Sequence, residues 1–154
     1  MPAGSDPAPD LPRTWRPLGP RIAGIAAGTA LLAIMVMLWI SFDEETREAV
    51  TWFQRGTVVA MFALGFACLH ALARSRVEAH EDRLVVVNGY RRREYAWAEV
   101  VAVRLPPGAP WVTLDLADGE TVSAMGIQGS DGARARDAVR QLRSILDRTD
   151  TPGD

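Results

Sequence analysis

Ile22–Phe42 reads IAGIAAGTALLAIMVMLWISF and contains no charged residue. At about 1.5 Å of rise per residue, a helix of this length crosses a hydrocarbon core of roughly 30 Å. A lone segment in lipid satisfies its own backbone polar groups only as a helix. The stretch is therefore expected to be a membrane-spanning helix, and the other segments take their places from it. A cleaved leader is the rival reading. The run is longer than a leader's apolar core, and Phe42 passes straight into Asp43, Glu44 and Glu45 without a small-residue cleavage site.

A second apolar stretch follows closely. Gly56–Ala73, GTVVAMFALGFACLHALA, is long enough to cross, the more so if Val50 to Phe53 dip into the interface. Asp43–Arg55 between the two reads as a short polar connector. A connection this short forces the spans into an antiparallel hairpin. Its acids read as solvated loop carboxylates rather than a cation site. His70 is the one titratable group of the second span, about one turn from Arg74 and so expected at headgroup depth. No second His, Asp or Glu shares that span, which argues against a proton relay or metal site. Cys68 reads as a small packing residue. Gly24 and Gly28 form a Gly-x-x-x-Gly pair, and Ala60, Ala63 and Ala67 recur in the second span. Such faces allow close helix approach, either within one chain or between two copies in a homo-oligomer.

Arginine placement sets the expected orientation. Arg13, Arg16 and Arg21 precede the first span, and Arg74, Arg76 and Arg83 follow the second; the connector carries only Arg47 and Arg55. Both termini are thus expected in the cytoplasm, with two spans across the plasma membrane. Residues 1–20 contain six prolines, at positions 2, 7, 9, 12, 17 and 20, and few core-forming side chains. They read as a disordered tail, with Trp15 and Arg16 at the headgroups.

The composition narrows the function classes. The chain has 154 residues and a net charge of −2, so no global basic field points to nucleic acid. All 17 basic residues are arginine, and the single cysteine excludes an internal disulfide. The two histidines, His70 and His80, stand beside no nucleophile, and no glycine-rich phosphate loop follows a strand. Asp115, Asp118 and Glu120 flank a turn, where acids are ordinary. No catalytic, cofactor or metal site is expected.

From Arg76 the pattern changes period. Arg83–Asn88 is a β-branched run ended by Asn88-Gly89, a hairpin turn signal, and Tyr90–Tyr95 returns. Val100–Leu105 and Trp111–Leu116 are further strands, separated by a proline-rich loop. Asp118-Gly119 is a second turn, and Glu120–Met125 returns. With Val77–Ala79, about six strands form an antiparallel meander. A helix capped by Ser130 or Asp131 closes the module, with Ala135, Ala138, Val139, Leu142, Ile145 and Leu146 on one face. The expected domains are residues 1–20 as tail, 21–74 as helical hairpin, 76–148 as an α+β module and 149–154 as tail.

This layout resembles the pleckstrin-homology-like (PH-like) fold, a bent antiparallel barrel closed by a C-terminal helix. The segments Arg83–Arg93, Tyr95–Val100 and Leu114–Gly119 look like the bacterial PH-domain family that includes mycobacterial low-molecular-weight protein antigen 6. The resemblance spans about Ile22 to Arg148. It implies two transmembrane helices ahead of the domain, an actinobacterial setting, Trp97 as a plug in the barrel and tight turns at Gly89 and Gly119. It brings no catalytic residues.

The expected function is a non-enzymatic, membrane-tethered PH-like module that binds a membrane or cytoplasmic protein. The alternative is anionic lipid binding. Eukaryotic relatives of the fold use basic residues around the first hairpin, whereas Glu78, Glu81 and Asp82 make that region acidic here. Arg91 and Arg93, on one face of a strand with Arg92 on the other, are the candidate lipid contacts. Arg104 at the same rim would strengthen that reading. An apolar groove between the helix and the barrel would instead favour a peptide.

Overall fold

The computed structural model describes residues 9–150. Residues 1–8 and 151–154, the outer parts of the tails expected at 1–20 and 149–154, lie outside them. The order of elements is β1 (Arg13–Trp15), α1 (Gly19–Ser41), α2 (Glu44–Ala49), α3 (Trp52–Arg74), β2 (Arg76–Ala79), β3 (Arg83–Asn88), β4 (Arg91–Ala96), β5 (Val100–Arg104), β6 (Trp111–Leu116), β7 (Thr121–Gln128) and α4 (Ala133–Asp150).

The helices α1 and α3 have 23 residues each and are long and apolar enough to cross a membrane. Neither has a buried residue. They pack on each other through the glycine face. A Cβ on Gly24 would lie 2.9 Å from Leu69 Cδ2, and one on Gly28 would lie 3.3 Å from Leu69 Cδ1. The Gly-x-x-x-Gly pair therefore serves contact within the chain, and its partners are Leu69 and Phe66 rather than the alanines of α3.

The connector is more ordered than a polar loop. Asp43 caps α2 by accepting from Thr46 N at 2.8 Å, and Thr51 with Gln54 forms a capping box that starts α3 at Trp52, four residues before the predicted span. Arg55 ties this end together. Its guanidinium donates to the carbonyls of Arg47 and Val50 and lies 5.1 Å and 4.9 Å from the Trp39 and Trp52 ring centroids.

Beyond α3 the chain builds two antiparallel sheets, ordered β1-β2-β3-β4 and β5-β6-β7. The barrel is thus two facing sheets rather than one continuous cylinder. Their shared core holds Leu84, Leu114 and Val112, and α4 closes it with Ala135, Ala138, Val139, Leu142, Ile145 and Leu146, all buried as the periodicity predicts. Burying a Leu or Ile side chain contributes about 1.5–3 kcal/mol. Trp97 is buried in the turn between β4 and β5, and its Nε1 donates to His80 O at 2.9 Å.

Two features stitch the sheets together. The Asn88 amide donates to Ser123 O and accepts from Met125 N at 2.9 Å, so the turn asparagine also joins β3 to β7. Where β7 crosses β2, Gly126 lies so close that a Cβ there would be 2.4 Å from Arg76 C and Cα.

The proline-rich N-terminal segment departs from the expectation of a disordered tail. Arg13–Trp15 pairs antiparallel with Val77–Ala79, placing β1 on the edge of the first sheet with the whole helical hairpin between the two strands. Trp15 does not serve as a free interfacial side chain. It is half-buried against the core, and its Nε1 donates to Gln141 Oε1 at 3.1 Å. Pro17 is fully buried. The segment is short of apolar residues, yet strand pairing needs only backbone groups, and Trp15 and Pro17 suffice to hold it down. The expected six-strand meander is a seven-strand arrangement, with its first strand on the far side of the hairpin.

Candidate functional site

The domain clasps the hairpin at two points. The first is the start of α1. Asp131, expected to cap α4, instead accepts from Leu18 N at 3.0 Å and Gly19 N at 2.8 Å, so a carboxylate from the β7–α4 link satisfies two of the orphan donors at the start of α1. The second is the end of α3. Ser75 is buried; its hydroxyl donates to Ala71 O at 3.2 Å and accepts from Gly89 N at 3.0 Å. Gly89 has φ +61°, which the turn requires, and a Cβ there would be 3.3 Å from Ala71 Cβ.

Tyr90 extends this contact along α3. Its hydroxyl lies 3.0 Å from His70 Nδ1 and 3.4 Å from Ala67 O, and the Arg74 guanidinium lies 5.7 Å from its ring centroid. His70 is thus occupied in docking the domain. Cys68 is exposed, with a free thiol. Among the described residues no group of three or more His, Cys, Asp or Glu is placed to hold a metal ion.

Arg91 and Arg93 start the strand that leaves this contact. With Asn88, Glu120 and Ser123 they line a cavity of about 200 Å³ between the β3–β4 and β6–β7 hairpins. Arg92 takes the opposite face and pairs with Glu94 at 2.7 Å, as the alternation predicts. Tyr95 and then the Glu120 charge favour the protonated form of Arg93. Arg104 does not join them; it lies on β5 and pairs with Asp115 at 2.6 Å. The groove between α4 and the sheet is not the apolar trough a peptide would favour, because Arg13, Arg16 and Arg134 line it.

Sequence reasoning missed Tyr90, Ser75 and Asp131 as docking residues. Their partners lie in elements that no local pattern links to them.

Two sheets, a closing helix and a buried Trp97 in the β4–β5 turn are the arrangement that the resemblance implies. The family model for the bacterial PH domain matches residues 74–144. This region is similar to bacterial PH domains, and its fold is PH-like. Relatives include uncharacterised proteins of Mycobacterium bovis and of two strains of Mycobacterium tuberculosis, each 39% identical over 99 residues, 62% of this chain and 64% of the relative. The matched region thus spans a little under two thirds of each relative's length. No solved structure matches the chain significantly. β1 and the hairpin lie outside the family match, although β1 completes the first sheet of the PH-like domain.

Proposed function

We propose that this chain is a non-enzymatic integral membrane protein whose PH domain is held against the bilayer to engage anionic lipid headgroups through Arg91 and Arg93. In this reading α1 and α3 cross the plasma membrane and both termini are cytoplasmic, in line with the arginine excess on the flanks over the connector. The carrying observation is the contact of Tyr90 with Ala67 and His70, inside the last two turns of α3. A residue that reaches this far along a spanning helix stands at headgroup depth, and Arg91 is its neighbour. Arg93, two residues along the same strand face, is about 7 Å further on. Basic residues near an anionic surface contribute about 1 kcal/mol each. A protein partner at the PH domain is the reading that failure of this one would leave.

The test uses the full chain, because a fragment beginning at Arg76 lacks β1. The protein is placed in nanodiscs of phosphatidylcholine with phosphatidylglycerol, and lipids retained on the ejected protein are counted by native mass spectrometry. Phosphatidylglycerol is expected to be enriched over phosphatidylcholine, with apparent affinity falling about fivefold per arginine in Arg91→Ala and Arg93→Ala. Equal retention of the two lipids, or enrichment unchanged in the double variant, refutes the reading.

A further inference from the structure

A second basic groove lies at the other clasp, where β1, β7 and α4 meet. Arg13, Arg16 and Arg134 line a cavity of about 180 Å³ together with Trp15, Gly126 and Ile127. The three arginines come from two segments that are far apart in the chain, and the pairing of β1 with β2 and the bond from Trp15 to Gln141 of α4 bring those segments together. All three are exposed, and none forms an ion pair within the described residues. The acid at the cavity wall, Asp131, already accepts two backbone N–H groups from the start of α1. Its charge is directed to that helix end. The walls are held in place: Trp15 is bonded to Gln141 of α4, Pro17 is buried, and Gly126 is pressed against β2.

We infer that this groove is a binding site for a phosphate group, with Arg13, Arg16 and Arg134 as its ligands. Planar guanidinium forks match the oxygens of a phosphate, and charge-assisted bonds from several of them suit a tetrahedral anion with acceptor oxygens in several directions better than a planar carboxylate. Arg16 lies three residues before α1, so the phosphate can belong to a lipid headgroup or to a soluble phosphomonoester. The site is separate from the Arg91–Arg93 groove, and its test does not depend on that one.

Trp15 lines the cavity and provides a local probe. The full chain, with its tryptophan indoles labelled with nitrogen-15, is placed in nanodiscs of phosphatidylcholine alone and titrated with glycerol phosphate. A parallel sample carries phosphatidylglycerol in the disc and receives no soluble phosphate. A saturable shift of the Trp15 indole resonance is expected in at least one arm. A shift with glycerol phosphate assigns a soluble phosphate, and a shift only with phosphatidylglycerol assigns a headgroup. Arg16→Gln and Arg134→Gln, both at exposed positions, are each expected to weaken the response about tenfold or more. Arg91→Ala/Arg93→Ala is expected to retain it. A Trp15 resonance that moves in neither arm, or moves equally in the Arg16→Gln/Arg134→Gln protein, overturns the inference.

Discussion

Gly126→Ala is a sharp test of how the two sheets meet. The added methyl carbon would lie 2.4 Å from both C and Cα of Arg76 and 2.6 Å from Val77 N. Ordinary carbon contacts lie near 3.5–4.0 Å, so β7 and β2 must separate by about 1 Å. The obstructing atoms are main chain and cannot rotate away. Overpacking of this kind costs about 1–3 kcal/mol, and the rigid contact places this site at the upper end. Moving β7 away from β2 also strains the bond from Met125 N to Asn88 Oδ1. For a domain of this size each kcal/mol lowers Tm by roughly 4–8 °C, so a fall of about 8–24 °C is expected. Tryptophan fluorescence follows the melt, because Trp15 and Trp97 both pack in this domain. Gly65→Ala is the control, since a Cβ there meets nothing within 4 Å. An unchanged Tm in Gly126→Ala, or a fall matched by Gly65→Ala, would refute the close crossing.

Two further results are expected. Asp131→Ala removes the carboxylate that caps α1, and loss of such a cap costs about 0.5–2 kcal/mol; amide exchange at Leu18 and Gly19 should quicken while the β3–β4 hairpin keeps its protection, and unchanged exchange at both would count against the clasp. Glu78 is held below its ordinary value of 4.5 chiefly by its bond to Arg76; desolvation, the next-largest effect, opposes this, and His80 adds to the lowering. A depressed folded value means that its contribution is full above pH 4.5 and is lost as pH falls through the folded value. Tm measured against pH should therefore drop less steeply below 4.5 in Glu78→Gln than in the parent protein, and identical profiles would contradict the assignment.

Much of the architecture is legible in the chain. The two apolar runs, the Asn88-Gly89 turn and the buried face of α4 are signals carried within one element, and each element stands where its signal places it. The candidate site is legible only in part. Alternation on β4 separates Arg91 and Arg93 from Arg92, because side-chain direction follows the local period. The groove those two line depends on β7, and the Arg13, Arg16 and Arg134 groove depends on a strand with almost no sequence signature. Arg13–Trp15 has three residues in a proline-rich segment, and its strand character comes from the open edge of β2.

Asp131 shows the same division. An aspartate just before a helical pattern is an ordinary cap signal, and a cap it is, but of α1 at the opposite end of the chain. A carboxylate binds whichever orphan N–H groups the fold brings near, so its residue type is readable and its partner is not. Tyr90 and Asn88 likewise combine a readable position beside a turn with an unreadable partner.

The amino-acid sequence by itself determined the two long apolar helices, the strands from Arg76 onward and the closing amphipathic helix, because apolar run length and periodicity act within a single segment. Only the tertiary structure decided that β1 belongs to the domain across the hairpin, that Asp131 and Tyr90 clasp the two helices, and which arginines share a groove. Those outcomes rest on backbone pairing and hydrogen bonds between distant segments, whose energy depends on where the fold brings the groups together and not on their order along the chain.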